Sequence, residues 1–368
     1  MTEFVTTTVR GGVGYLTLQR PQALNALSLE MIRAMTEALD RWAADPAVHA
    51  VIVAGAGGKA FSAGGDIRWF HRAHHEGDPL LHQFFVEEYA LNFRIHRYPK
   101  PYIALMDGVV MGGGMGISQG ARRRIVTDRT KMAMPETNIG LFPDVGGGWF
   151  LARTPGRLGE YLGLTGVVIH AADALYAGLA DLYLPANALA ELVASLHAAT
   201  FDSGDAVLAH VDTFARSHAD ACQPRDSELA KLYDPIDRLF AGATVEAILH
   251  AVSDASADAA GNAPADWAAQ TAAMLRSRSP LMLCVTLEQI RRARDMSLED
   301  ELRMELGMMH EVFARGDGVE GIRALAIDKD HKPRWNPSRL DDVSAARVRA
   351  FFDSPWRSED HPLAALGR

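Results

Sequence analysis

Residues 101–149, PYIALMDGVVMGGGMGISQGARRRIVTDRTKMAMPETNIGLFPDVGGGW, decide how the rest of the chain is read. Tyr102 to Met106 is an apolar run of strand length. The glycines Gly112, Gly113 and Gly114 follow, then a short helical stretch to Gly120 and strands over 124–127 and 131–134. Two acids close the segment, Glu136 in MPET and Asp144 in FPDVGGGW. Glycine has no Cβ, so a ligand can come close to main-chain N–H groups. The first N–H groups of a helix have no intrahelical partner and face outward. The pattern predicts a site for a carbonyl that becomes an oxyanion, with two acids to attack it or move a proton.

Working outward, residues 4–10 and 13–18 flank Gly11 and Gly12 and read as a hairpin. Ser28 is an N-cap for a helix whose apolar positions are Met31, Ile32, Met35, Leu39 and Trp42. A short buried strand over 50–53 runs into GAGGKAFSAGGDIRWF, a glycine-rich loop entering a helix near Asp66. The glycines have neither dinucleotide-fingerprint nor P-loop spacing. They leave two loops, each able to offer one backbone N–H, and an oxyanion hole needs such a pair. Residues 84–97 read as a helix, on which Glu87 and Glu88 point in different directions, so at most one faces the core. Residues 156–164 and 170–180 are helical, and 182–184 form a strand. From about residue 187 the chain is rich in Ala, Leu and charge, with helix starts at Ser279-Pro280 and Ser297. A division near residue 190 follows, with 1–190 as the site-bearing core and 191–368 as a mainly helical region packed on it. Residues 254–266, rich in Ala, Asp, Gly and Pro, are expected to be a mobile loop.

The 368 residues are 48% apolar and 23% charged, as in ordinary globular proteins. A formal charge of −9 argues against nucleic acid as a partner. Cys222 and Cys284 form no motif and fit buried, inert thiols in a reducing compartment. MTEFVTTTVRGG carries no targeting pattern and no apolar run reaches membrane-spanning length, so a cytoplasmic protein with no membrane partner is expected. His71, His74 and His75 lie close together, but no further ligands complete a metal site, and none is expected. No Ser/His/Asp triad is expected. Glu136 and Asp144 sit in otherwise apolar segments, where burial is costly without a partner or a role. Desolvation would raise a carboxyl pKa and make a better base near neutrality.

The succession RPQALNAL, GKAFSAGGDI, PYIALMDGVVMGGGMGIS, AMPETNIGLFPDVGGGWFLAR and LGLTG, in order from residue 13 to about 185, resembles the crotonase (enoyl-CoA hydratase/isomerase) superfamily. PET before FPDVGGG, FFVEEY, and the late GIRALAIDKDHKPRWNPSRL are most similar to its branch that hydrolyses 3-hydroxyisobutyryl-CoA in valine breakdown. The resemblance implies an α/β fold, a spiral of ββα repeats with a helical C-terminal region, and an acyl-CoA substrate. It implies no cofactor beyond the coenzyme A of the substrate, and a homo-oligomer is compatible with it. It implies an oxyanion hole from the N–H groups of Ala63 and Gly113, and substrate contacts at Glu88, Gly113, Glu136 and Asp144. Asn25, Ala26 and Leu27, with Ala63, Gly64, Gly65, Asp66 and Ile67, would line the coenzyme A path. Hydratases of the superfamily carry one glutamate just after the glycine triplet and a second at the position of Glu136. Here the first position is Gly116, which favours thioester hydrolysis over hydration. Glu136 would either attack the carbonyl or activate a water; both routes are open. The alternatives are a hydratase or isomerase of the same superfamily, and a non-catalytic acyl-CoA-binding subunit, against which the two acids argue.

Overall fold

Gly11 and Gly12, at φ +58° and +79°, turn the chain between β1 (Val5–Arg10) and β2 (Val13–Leu18). Two successive residues at positive φ match the twist of a tight hairpin, and glycine adopts them without strain. A computed structural model describes residues 3–258 and 263–367. It divides into two compact units: residues 1–66, 87–133 and 168–230 form the first, and residues 67–86, 134–167 and 231–368 the second.

The first unit holds both sheets. β3 (Ala50–Gly55), β5 (Tyr102–Met106), β7 (Arg123–Val126) and β9 (Leu182–Tyr183) extend the hairpin into a six-stranded sheet of order β1-β2-β3-β5-β7-β9. Only the β1–β2 pairing is antiparallel. β5 is buried along its whole length, as expected for a parallel strand covered on both faces. β4 (Ala60–Ser62), β6 (Val109–Met111) and β8 (Lys131–Ala133) form a second, parallel, three-stranded sheet. The successive pairs β3 and β4, β5 and β6, and β7 and β8 each give their first strand to one sheet and their second to the other, whereas β1 and β2 share the larger sheet. β4 and β6 lie inside the glycine-rich stretches that read as loops; three residues are too short to show a two-residue period.

Ser28 caps the helix Leu29–Ala44, its Oγ accepting the Met31 N–H at 3.3 Å. The buried face of that helix is Met31, Ile32, Met35, Ala38, Leu39 and Trp42, matching the apolar spacing. A cluster including Val13, Ile52, Ile103, Leu105 and Ile125 of the sheet and Leu192, Leu196, Val207 and Val211 of two later helices forms the core of this unit.

The second unit, as described, is helical. Ser279 and Ser297 cap the helices Pro280–Ala293 and Leu298–Arg315. Residues 254–257 end the helix Val245–Ala257 and residues 265–266 begin the helix Ala265–Ser277, so the expected loop is shorter than 254–266. Residues 259–262 lie outside the described residues. Cys222 and Cys284 are half-buried and form no disulfide; burial pushes both thiols up, Cys284 to about 12. Among the described residues no helix is long and apolar enough to cross a membrane.

Candidate active site

The two glycine loops belong to the first unit. β4 and β6 pair in parallel, so the loops leaving their C-terminal ends lie side by side. Gly64, at φ +96°, backs onto the second loop: an added Cβ would meet the Met111 carbonyl oxygen at 3.0 Å and the Gly113 nitrogen at 3.1 Å. A Cβ on Gly113 would lie 2.5 Å from Glu88 Oε1 and 3.2 Å from Leu27 Cδ1. Glu88 is 2% exposed, so its carboxylate rests, buried, against the backbone of Gly113. Its neighbour Glu87 turns outward to a two-bond pairing with Arg33, at 2.7 and 2.8 Å. The helix thus separates the two adjacent acids, one to the core and one to the surface.

The stretches expected to line the coenzyme A path are laced together. Leu27 N–H donates to the Gly64 carbonyl at 2.7 Å, and Asp66 N–H to the Leu27 carbonyl at 3.1 Å. Ala63 N–H donates to the Leu24 carbonyl at 3.0 Å. This corrects Ala63 as an oxyanion donor, because its proton is already engaged. Neither the Gly65 nor the Gly113 N–H donates to a protein acceptor among the described residues. Gly65 and Gly113 are therefore two donors in these loops whose protons are not engaged as that of Ala63 is.

Asn25 is fully buried. Its Nδ2 donates to the carbonyls of Ala56 and Ala60 at 3.0 and 2.8 Å, and its Oδ1 accepts the Arg20 N–H at 2.9 Å. Those bonds hold a turn in which Leu24 and Asn25 have φ of +51° and +54°. The side chain expected at the coenzyme A path is thus spent on shaping the loop. Arg20, not singled out in the sequence, ties both stretches: it bonds Asp66 Oδ2 at 2.7 Å and the Ala26 carbonyl at 3.1 Å. Its place at the head of RPQALNAL was the available signal.

Ile67, Glu136 and Asp144 belong to the second unit. Glu136 follows Pro135 and opens the short turn Glu136–Ile139. It is 6% exposed, and its Oε2 has no hydrogen-bond partner among the described residues. Burial, then the charge of Asp144, push its pKa well above the usual carboxylate value; its own backbone N–H pulls the other way. Asp144 is buried too. Two acids that repel each other in a desolvated place are separated in proton affinity, so one holds its proton longer and becomes the stronger base once ionised. His71 and His75 bring their Nε2 atoms within 3.2 Å, but among the described residues no three His, Cys, Asp or Glu side chains are grouped to hold a metal ion.

The sequence model of the enoyl-CoA hydratase/isomerase family matches residues 13–352. A curated relative from Xenopus tropicalis, named 3-hydroxyisobutyryl-CoA hydrolase, mitochondrial, is 40% identical over 96% of this chain and 89% of its own. One of the same name from Xenopus laevis is 41% identical over 94% of this chain and 88% of its own. A solved structure named as a carnitinyl-CoA dehydratase from Mycobacterium thermoresistibile is 40% identical, with a TM-score of 0.86, covering 96% of this chain and 97% of that one. The mitochondrial relatives overturn the expectation of a cytoplasmic protein. That expectation rested on a missing targeting pattern, and an absence of that kind assigns no compartment.

Proposed function

Since this chain belongs to the enoyl-CoA hydratase/isomerase (crotonase) family, we infer that it is an acyl-CoA thioester hydrolase that splits 3-hydroxyisobutyryl-CoA into 3-hydroxyisobutyrate and coenzyme A. Beside the named relatives, the observation that carries this reading is the pairing of buried Glu136 and Asp144 with a bare Gly116. The helix Gly113–Gln119 offers no acid at all. Addition of water across a double bond would lack its second carboxyl, whereas thioester hydrolysis needs one carboxylate and an oxyanion hole.

In the proposed reaction the thioester carbonyl oxygen accepts hydrogen bonds from the N–H groups of Gly65 and Gly113. Backbone donors of this kind are fixed before the reaction, and losing one costs about 3 kcal/mol of barrier. Glu136, ionised, either attacks the carbonyl carbon directly or removes a proton from an attacking water. The carbon–sulfur bond then breaks and coenzyme A leaves as the thiolate, which takes up a proton. In the direct route a water then hydrolyses the resulting anhydride, freeing the acid and Glu136. Asp144 orients the substrate hydroxyl or shares the proton, and Glu88 binds at the acyl end beside Gly113.

The test is release of free thiol from 3-hydroxyisobutyryl-CoA, measured against hydration of crotonyl-CoA, with wild type and Glu136→Gln. Thiol release should dominate and fall by about 10²–10⁴-fold in the variant. Faster hydration than hydrolysis would favour the hydratase reading, which the name of the Mycobacterium thermoresistibile structure supports. A single turnover in ¹⁸O-water separates the two routes: label entering Glu136 identifies direct attack.

A further inference from the structure

Asp144 stands in a turn with an unusual backbone. Val145, the next residue, has φ +58° and Gly146 has φ +83°. Valine is β-branched, and the left-handed region costs such a residue about 1–3 kcal/mol, so the surroundings must hold it there. Val145 is itself buried, and its neighbours on both sides are gripped by side chains of two helices.

Gln289, on the helix Pro280–Ala293, donates from Nε2 to the Pro143 carbonyl at 2.8 Å. Glu305, on the helix Leu298–Arg315, accepts the Gly146 N–H on Oε2 at 2.8 Å. Gln289 Nε2 also reaches Glu305 Oε1 at 3.0 Å and Glu301 Oε1 at 3.3 Å, which joins the two helices to one another. All three side chains are fully buried. A Cβ on Gly148 would overlap Glu301 Oε1, so glycine at that position lets the turn close onto the acids.

Glu301 and Glu305 are four residues apart on one helix face, where two like charges repel. Burial leads the causes that push both carboxyls up, Glu301 to about 7 and Glu305 well above the usual carboxylate range, and the two also act on one another through a side-chain hydrogen bond. Asp144 adds repulsion to both, and Arg153 is the cation that acts on Glu301.

We propose that Glu305 and Gln289, joined to Glu301 through the Gln289 amide, form a buried clamp that positions Asp144 by holding its strained turn from both sides. The clamp touches no substrate; it acts through Asp144, and so rests on the reading of Asp144 given above.

The experiment compares Glu305→Leu, Gln289→Met and Glu305→Gln with wild type, each also in an Asp144→Asn background, by steady-state hydrolysis and circular dichroism. Leucine removes the acceptor for Gly146. It should lower kcat about tenfold to hundredfold with KM changed less than about threefold, as a small displacement of a reacting group does. Glutamine mimics the protonated acid and keeps an acceptor, so kcat should return to within about threefold of wild type. In the Asp144→Asn background the leucine variant should cost little more, because residues acting through one group are not additive. A folded Glu305→Leu with wild-type kcat, or a loss that multiplies fully with that of Asp144→Asn, overturns the clamp. If Glu305→Leu does not fold, Gln289→Met decides on the same two measurements, and a wild-type kcat there overturns it equally. A wild-type kcat for Asp144→Asn alone refutes instead the role of Asp144, and the clamp's function with it.

Discussion

Glu136 illustrates what a buried acid contributes and what it costs. Its pKa is raised in the folded chain, chiefly by burial and then by Asp144. Between the ordinary carboxylate value and the raised one, the unfolded chain has lost this proton while the folded chain keeps it. The folded state then binds more protons, so stability falls as pH rises through that window. Glu136→Gln removes the titration. It should raise the melting temperature relative to wild type at neutral pH, and the difference should shrink towards pH 4, where both forms are neutral. A melting curve series from pH 4 to 8 measures this, and a gain independent of pH would mean that Glu136 is not held protonated. The same variant should lose hydrolysis, so stability and activity are expected to move in opposite directions here. The acid's neighbourhood was legible in the sequence, because Glu136 stands in AMPETNIGLFPDVGGGW, a mostly apolar segment punctuated by proline and glycine. Which backbone N–H groups are open was not. Ala63 and Gly65 are two residues apart, and only the hydrogen bond from Ala63 to Leu24 tells them apart.

At the scale of elements, the short strands and the glycines are one device. β4 and β6 place two loops side by side, and Gly64 and Gly113 allow those loops to touch. Gly113→Ala would put a methyl group 2.5 Å from Glu88 Oε1. The end of a glutamate can shift, so the fold should survive at a cost of about 1–3 kcal/mol. The donor and Glu88 would both be displaced, and kcat/KM should fall by about 10²-fold. Kinetics and a melting curve on the same preparation check the pair of outcomes; a large loss of stability with intact kcat/KM would contradict them. The helices were read from their caps and apolar spacing, since Ser28, Ser279 and Ser297 each bond the backbone they precede. The clamp around Asp144 was not legible, because Pro143, Gln289 and Glu305 are brought together by packing that no local pattern encodes. The hint in the sequence was a pair of acids at helical spacing, Glu301 and Glu305, each followed by a leucine.

For the whole molecule, the change of composition near residue 190 and the compact units describe different things. Composition reports local chemistry, whereas each unit is assembled from three separate stretches of chain. A chain ended after residue 190 would lack Leu192, Leu196, Val207 and Val211, all fully buried in the core of the first unit. Burying each contributes about 1.5–3 kcal/mol, against a net stability for a domain of about 5–15 kcal/mol. Such a fragment should show no cooperative thermal transition by calorimetry; a sharp one would mean that the sheet is covered without those helices. The chain passes between the units five times, and that has a consequence during synthesis. Ribosomes emit roughly 5–20 residues per second, and domains generally fold as their chain emerges. The first unit needs its chain out to Ala230, and the second, begun at Ile67, needs residues from 231 onward. The apolar β5, complete at Met106, therefore waits on the order of ten seconds for the last segment of its own unit. A nascent chain with a bare parallel strand for that long is a client for chaperones that bind extended apolar segments, so the order in which the fold is threaded sets how much help its production in a cell requires.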